Sequence, residues 1–315
     1  MIKTEEFYFD SRDNVHKIHA MKWIPEANDY VAVLQIAHGM AEHIERYDDF
    51  ARFMAERGFL VVANDHLGHG KSIASPEDYG YFAKNDAVTV VVRDIHRLKK
   101  ITQEENPGKP YFILGHSMGS FMLRNYLCRY GKGIDGAILM ATGSKSTGLT
   151  KSGKALAYLM VFFHGWRYIS PMMNQLVDGH NNDEIANPRT AYDWLSRDEE
   201  IVDKYLADEE CGFSFTMNGV VAIADAIDNL RKKDYLDKMP RDLPVAFFSG
   251  DKDPVGHWGK DVPLIVEQFK DMGMQNIFMK MYPDDRHEIL NEINRKEVYQ
   301  DILEWLEKQL ETKKQ

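Results

Sequence analysis

The sequence predicts an α/β protein with a mostly parallel sheet, helices on both faces of the sheet, and a helical insertion. Short runs of apolar, often β-branched residues alternate along the 315-residue chain with longer segments of helical periodicity. These apolar runs are continuous, which indicates strands that are covered on both faces. Strands and helices that alternate in this way are typical of parallel sheets. The length fits one large domain or two modest ones.

Five buried strands form the predicted centre of the sheet, at residues 31–37, 60–64, 111–114, 134–140 and 245–249. A last strand, at 277–282, resembles an edge strand. Two earlier segments, 5–9 and 16–23, alternate more clearly between polar and apolar residues. This alternation predicts an antiparallel hairpin at one edge of the sheet.

Helices of 3.6-residue period occupy the intervals between the strands. We expect them at residues 47–57, 85–104, 118–129, 260–272 and 295–311. Gly58, the segment 106–108 and Gly273 end three of these helices.

The strand–helix alternation stops over residues 147–237. This segment is helical, rich in methionine and aromatic residues, and broken by proline and glycine. We therefore expect a core domain of residues 1–146 and 238–315 that carries a helical cap insertion at 147–237.

Composition argues against several classes of protein. The 49 acidic and 39 basic residues give a net charge of −10, and an acidic chain repels the phosphates of nucleic acids. Two cysteines are too few for a disulfide framework. The first residues lack the pattern of a signal peptide, and the uncharged run at 155–166 is too short to span a membrane. These observations predict a soluble, cytoplasmic protein.

A G-x-S-x-G motif at 115–119 lies between a predicted strand and a predicted helix. In this context the motif predicts a nucleophile elbow, in which a sharp turn exposes the hydroxyl of Ser117. The flanking glycines are required because side chains there would collide with the neighbouring strand and helix. We therefore expect Ser117 to be a catalytic nucleophile.

A serine nucleophile needs a histidine base, and the base needs an acid that orients it. After an elbow serine the acid comes next along the chain and the histidine last. His287 follows the last strand and is the expected base, whereas His257 is a weaker alternative. Asp253 and Asp251 follow the fifth buried strand, and Asp253 is favoured because the proline after it promotes an extended backbone. Asp251 stays open as the alternative acid.

The tetrahedral intermediate of such a reaction needs two backbone N–H donors, which form an oxyanion hole. The amide of Met118, directly after the nucleophile, is one expected donor. The loop that follows the first buried strand supplies the other, and Gly39 there can turn the Met40 amide inward. We interpret His38 in this loop as a buried histidine that braces the backbone.

Four motifs together resemble those of monoacylglycerol lipases and bacterial lysophospholipases, which are α/β-hydrolases grouped with the serine aminopeptidases. They are H-G-x-x-E-H-x-x-R-Y at 38–47, D-x-x-G-H-G-x-S at 65–72, G-H-S-M-G at 115–119 and G-x-x-D at 250–253. The resemblance places the acid on Asp253 and the base on His287. It implies an α/β-hydrolase fold with a helical cap and a carboxylic-ester hydrolase that uses no cofactor.

No metal site is expected from the histidines of this sequence. The segment at 65–69 lacks the H-x-H-x-D-H order of a dinuclear hydrolase, so we interpret it as a turn held by histidine side chains.

The cap segment 155–163 is apolar on nearly all sides of a helix, so it must be buried or must contact something apolar. One possibility is packing within the cap. The other is a wall of the acyl pocket, in which Leu159, Phe162, Phe163 and Met172 contact the substrate.

These observations predict a serine hydrolase that forms an acyl-serine intermediate on single-chain lipid esters such as monoacylglycerols or lysophospholipids. Contact with a membrane surface would then be transient. A peptidase or amidase is the alternative, and it would need an acidic group in the cap, for which Asp183, Glu184 and Glu209 are candidates. A ligand receptor without catalysis is a third class, which the complete set of serine, aspartate and histidine disfavours.

Overall fold

The computed structural model describes residues 2–27, 29–144 and 147–314. Residues 1, 28, 145, 146 and 315, which the predicted domain ranges include, lie outside the described part. The described strands form one eight-stranded sheet in the order β1-β2-β4-β3-β5-β6-β7-β8. Their bounds are β1 Lys3–Asp10, β2 Lys17–Ile24, β3 Ala32–Ala37, β4 Phe59–Asn64, β5 Tyr111–His116, β6 Gly136–Met140, β7 Val245–Gly250 and β8 Ile277–Tyr282.

The pairing of the strands confirms the predicted fold class. β1 pairs antiparallel with β2, and β2 pairs antiparallel with β4, so the hairpin forms one edge of the sheet. The other neighbours pair in parallel. β8 forms the opposite edge and is largely exposed, as the sequence predicts.

The α-helices of the described residues lie between the strands and in the predicted cap. Their bounds are α1 Asp48–Ala55, α2 Ala87–Glu105, α3 Met118–Tyr130, α4 Thr147–His164, α5 Pro171–Asp178, α6 Glu199–Ala207, α7 Met217–Asn229, α8 Lys233–Leu236, α9 Asp261–Asp271 and α10 Arg295–Lys314. Short 3₁₀ turns lie at Ile44–Tyr47, Pro76–Asp78, Gly131–Gly133 and Ile289–Asn291.

Each face of the sheet carries its own hydrophobic core. Alternate residues of β3 belong to different cores, because Val33 packs with the side chains of α2 and α3 whereas Leu34 packs with those of α1 and α10. Strands β3 to β7 are buried along their whole length. Continuous apolar runs are therefore found where both faces are covered.

Helices α4 to α8 lie between β6 and β7, within the range predicted for the cap. Residues 147–244 of the described chain contain no strand. The boundaries of the cap stay a prediction. No described helix is both long enough and apolar enough to cross a bilayer.

Candidate active site

Ser117 lies at the turn between β5 and α3, with φ 52° and ψ −120°. This is an unfavourable conformation for a residue with a side chain, and it is held by hydrogen bonds on both sides. The Ser117 amide donates to the Met140 carbonyl at 3.0 Å, and the Ser117 carbonyl accepts from the Ser120 hydroxyl at 2.6 Å. The surrounding structure therefore fixes the serine in the geometry of an elbow.

The two glycines of the motif have no room for a side chain. A Cβ on Gly119 would lie 2.1 Å from the Ala37 carbonyl oxygen, and one on Gly115 would lie 2.5 Å from the Gly119 carbonyl oxygen. This close packing brings helix α3 against strand β3, and it confirms the steric reason for the glycines.

His287 and Asp253 form a buried, hydrogen-bonded pair at the cavity that Ser117 lines. The His287 Nδ1 lies 2.8 Å from Asp253 Oδ1, and both side chains are buried. Asp253 follows β7 and His287 follows β8, so the carboxyl ends of neighbouring strands position the pair. His287 and Ser117 line the same cavity.

The alternative acid and the alternative base have other partners. Asp251 Oδ1 accepts from the Asp284 amide at 2.8 Å, which fixes the turn after β8. His257 is half-exposed and its Nδ1 lies 2.8 Å from Asp261 Oδ1. Neither contacts the histidine at 287, so the geometry favours Asp253 and His287.

The expected oxyanion donors, Met40 and Met118, line the cavity beside Ser117. Neither amide donates a hydrogen bond to any residue within the described ranges. Two N–H groups without a protein acceptor at one cavity are what an oxyanion hole requires.

A buried polar network lies beneath the site. Arg46 donates to both Glu288 carboxylate oxygens at 2.6 and 2.7 Å, and to Glu42 Oε2 at 2.7 Å. Burial would raise the pKa of Glu42, but its hydrogen bond with His116 and the charge of Arg46 hold that pKa well below the usual range. His116 Nε2 lies 3.3 Å from the His287 carbonyl oxygen. The network thus reaches the backbone of the expected base.

The histidines of the neighbouring turn are buried and hydrogen-bonded to backbone groups, which fits their interpretation as bracing side chains. Burial lowers the pKa of His38 well below its usual range, that of His66 to about 3 and that of His69 to about 4. His38 Nε2 accepts from the His66 amide at 2.9 Å. Asp65 accepts from the Ile44 and Lys71 amides and so closes this turn.

One group of described residues, His43, Asp208 and Cys211, places donor atoms of the kinds that bind metals within 4.8 Å of one another. Two of these atoms contact each other, since His43 Nε2 lies 2.8 Å from Asp208 Oδ2. Burial also raises the pKa of the Cys211 thiol, which disfavours the thiolate that a metal requires.

Sequence reasoning missed the contact between the cap and the His287 loop. The His287 amide donates to the Trp194 carbonyl at 3.3 Å, and the Trp194 and His287 rings lie 5.0 Å apart. The Glu288 amide donates to the Leu195 carbonyl at 2.7 Å. The sequence carries no periodic signal for these contacts, because they join segments about ninety residues apart.

The cap residues that the sequence offers as substrate contacts lie away from the cavity at Ser117. Leu159, Phe162, Phe163 and Met172 are exposed and do not line the cavity at Ser117. Helix α4 is apolar on two sides, and its inner side packs on α7, so Leu159, Phe162 and Phe163 face outward. Met172 is exposed on α5. The cap side chains that line the cavity are Val177, Asn181, Tyr192, Trp194, Leu195, Tyr205, Phe213, Ile223 and Ile227.

A second apolar cavity adjoins the first. The cavity at Ser117 measures about 80 Å³, and the second, between α4, α5 and α7, measures about 100 Å³. Val177, Ile223 and Ile227 line both. The only charged group on the second cavity, within the described residues, is Lys154.

The sheet order, the elbow and the cavity beneath a helical insertion define an α/β-hydrolase. The chain belongs to the serine aminopeptidase S33 family, whose profile matches residues 28–294.

Sequence relatives and solved structures agree with this assignment. Monoacylglycerol lipase of Mycolicibacterium smegmatis is 28% identical over 287 residues, which cover 90% of each chain. Human monoglyceride lipase is 39% identical over 88 residues, 28% of this chain and 27% of that protein. A carboxyl esterase from Bacillus coagulans, solved with glycerol, matches with a TM-score of 0.90 at 27% identity and covers 98% of this chain and 100% of its own. The protein is a hydrolase of the lipase and esterase type.

Proposed function

We propose that this protein hydrolyses carboxylic esters through an acyl-serine intermediate, with Ser117 as nucleophile, His287 as base and Asp253 as the orienting acid. The observation that carries the proposal is the His287–Asp253 hydrogen bond of 2.8 Å at the cavity that holds Ser117. His287 takes the proton of the serine hydroxyl as its oxygen attacks the ester carbonyl. The same proton then passes to the departing alcohol, and water repeats the sequence to release the acid.

The backbone amides of Met40 and Met118 stabilise the oxyanion in this proposal. Met118 is the first residue of α3, where the helix dipole favours negative charge. A preorganised donor of this kind is worth about 10²–10³ in kcat.

The acyl group in this proposal is a single alkyl chain. The cavity at Ser117 is bounded mainly by apolar side chains, and the second cavity continues it past Ile223 with almost no polar surface. Burial of each CH₂ group is worth about 0.8 kcal/mol. Relatives named monoacylglycerol lipase and monoglyceride lipase support an acyl lipid such as a monoacylglycerol or lysophospholipid.

The amidase alternative receives no support from the cap. Asp183, Glu184 and Glu209 are all exposed and none lines the cavity. The acidic side chains at the cavity are Glu42 and Glu288, and both are paired with Arg46. Because both carboxylates already have this cation as a partner, they are poorly placed to bind the amino group of a peptide.

The test compares ester and amide substrates on the wild type and on three variants. We expect p-nitrophenyl esters to be hydrolysed with kcat/KM rising from acetyl toward longer acyl chains, monoacylglycerol to be cleaved, and aminoacyl anilides to be inert. Ser117→Ala and His287→Ala should each lower kcat by about 10⁴–10⁶, and the double variant little further, because the residues act as a unit.

Covalent labelling of the nucleophile is a second test of the mechanism. A fluorophosphonate probe should modify the peptide that contains Ser117 in the wild type and in the variant Ser120→Ala, but not in Ser117→Ala. Labelling elsewhere, or a Ser117→Ala variant with a tenth of the normal rate, would contradict the mechanism. A steep preference for acetyl esters would contradict the lipid substrate alone.

A further inference from the structure

A third cavity lies beside helix α3, about two turns past the nucleophile. It measures about 260 Å³ and is bounded by α3, α7, α9 and the loop after β6. Along α3, Met118 and Phe121 line the cavity at Ser117, and Arg124, about one turn further, lines the third cavity. Ile227 lies on the wall of all three cavities. The third cavity therefore adjoins the two that the acyl chain of the proposed function occupies.

Arg124 is a buried cation that no described carboxylate pairs with. The residue is 3% exposed, and its guanidinium donates one hydrogen bond, from Nη1 to the Gly143 carbonyl at 3.2 Å. Its Nε has no hydrogen-bond partner in the described structure. Arg46 and Arg197, in contrast, each pair with two buried carboxylates. Burial lowers the pKa of Arg124 to about 10, which reflects the cost of holding this charge away from water.

The other charged groups of the cavity already have partners. Asp261 is the acidic residue that lines it, within the described ranges. Asp261 Oδ2 accepts from the Ser144 amide at 2.6 Å, and Oδ1 lies 2.8 Å from His257 Nδ1. Arg231, the second cation on the wall, pairs with Asp228 at 2.5 Å. One positive charge, that of Arg124, thus stands without a paired anion, and a bound anion would offset the cost of burying it.

The cavity also offers an apolar surface and access from solvent. Its aliphatic side chains are Ile227, Leu230, Leu264 and Ile265. Leu264 is 63% exposed and Ser144 is also exposed, so these two residues form the side that faces solvent. A water molecule in the liquid occupies about 30 Å³, so the volume is sufficient for a small organic anion. One unpaired cation beside aliphatic side chains fits a ligand with a single negative charge and a short apolar chain.

We propose that the third cavity binds the carboxylate of a short fatty acid, with Arg124 as its ion-pair partner. A carboxylate matches the planar guanidinium because the two groups can form parallel hydrogen bonds. A phosphate dianion fits less well, since the carboxylate of Asp261 lies on the same wall and would repel it more strongly. The choice of a fatty acid among carboxylates rests on the proposed function, in which hydrolysis releases such an acid in the adjoining cavities.

The test measures the binding of hexanoate to the purified protein by isothermal titration calorimetry. Hexanoate should bind. Acetate and hexanamide should each bind at least about tenfold more weakly, because acetate lacks the apolar chain and hexanamide lacks the charge. Arg124→Met should weaken the binding of hexanoate at least about tenfold, since it removes the ion-pair partner. This variant replaces an unpaired buried cation by an apolar side chain, so its melting temperature should be at least that of the wild type.

Leu264→Glu tests the site without a change in the buried core. Leu264 is exposed on α9, so the variant should fold as the wild type does. The new carboxylate at the cavity should repel hexanoate and weaken its binding at least about threefold. Arg129→Met is the matched control, because Arg129 is exposed on the same helix as Arg124, does not line the cavity and loses the same charge. Its binding of hexanoate should equal that of the wild type.

Three results would overturn the inference. The first is a wild type that does not bind hexanoate, and the second is binding that Arg124→Met changes no more than Arg129→Met does, which would place hexanoate elsewhere, for example in the cavity at Ser117. The third is phosphate that binds more tightly than hexanoate and is lost in Arg124→Met, which would assign the cavity to a phosphate ligand.

The binding assay requires no turnover, so it separates this inference from the proposed function. A protein that binds hexanoate through Arg124 but hydrolyses no ester would contradict the proposed function and leave the anion site standing. Ester hydrolysis without binding of hexanoate would overturn the anion site and leave the proposed function standing.

Discussion

The backbone of Ser117 costs stability at the one residue where chemistry is expected. Its φ of 52° and ψ of −120° lie outside the regions that residues with a side chain favour. Conformations of this kind cost about 1–3 kcal/mol and persist only where the surrounding structure enforces them. Here Gly115 and Gly119 permit the close packing that enforces the turn. The sequence could predict this strain because the motif itself contains the two glycines.

The two aspartates after β7 provide a direct test at the residue scale. Asp253→Asn should lower kcat by about 10⁴, because an amide beside Nδ1 favours the wrong tautomer of His287. Asp251→Asn should change kcat by less than about threefold, since its carboxylate accepts only from the Asp284 amide. Steady-state kinetics with a soluble ester decide between them. If Asp251→Asn lowers kcat more than Asp253→Asn does, the acid that orients His287 is Asp251.

At the scale of elements, the loop that carries the expected base, His287, forms one structural unit with the cap segment 193–197. Arg286 donates to the Asp193 carbonyl at 2.6 Å and to the Ser196 carbonyl at 3.0 Å. Arg197 donates to Glu292 at 3.0 Å and also bonds Asp285. Segment 193–197 therefore supports the loop that carries His287, the expected base.

Truncation of Arg197 tests this support. Asp285 and Glu292 are fully buried, so Arg197→Ala leaves two carboxylates without their cation. We expect a loss of about 2–4 kcal/mol in the free energy of unfolding, with kcat reduced more than KM is raised. Urea denaturation and steady-state kinetics measure the two effects.

Arg189→Ala is the control for Arg197. Arg189 pairs with Asp203 at 2.7 Å, but both side chains are exposed. An exposed pair contributes about 1 kcal/mol or less. Equal effects of the two substitutions would show that Arg197 gives no special support.

At the scale of the whole molecule, the sequence predicts what depends on periodicity and local motifs. Strands β3 to β8 lie within a few residues of their predicted bounds. For β3 to β7 the reason is that each is a buried, largely apolar run. The outward stripe of α4 was beyond sequence reasoning, since an apolar helix gives no sign of which side packs on α7. The buried partners Arg46 and Glu288 are 242 positions apart and share no motif.

The stability of the whole molecule should depend on pH through Asp94, which does not line the cavity at Ser117. Asp94 is buried, and burial raises its pKa from 3.8 to about 7, although Ser11 and the Arg12 amide donate to its carboxylate. The folded protein thus holds this proton more tightly than the unfolded chain. Its stabilising contribution is complete below about pH 4 and is lost as the pH rises through about 7.

Asp94→Asn removes this titration. Between pH 5 and pH 8 the free energy of unfolding of the variant should rise by about 2 kcal/mol relative to wild type. Urea denaturation at the two values measures the change. Asp242→Asn, at an exposed position, should show no such difference. A constant difference between Asp94→Asn and wild type would show that Asp94 does not titrate in this range.

The hydrogen bonds between segment 193–197 and the His287 loop also restrict how a lid over this site could open. A rigid swing of the whole cap would break the bonds from the His287 and Glu288 amides to Trp194 and Leu195. The departing lid would then carry away the support of the base, and an open enzyme would be an inactive one. Substrate can enter without loss of this support only if the lid hinges in a way that leaves segment 193–197 in place. The lid would therefore divide into a fixed half beside the base and a movable half made of α4 and α5.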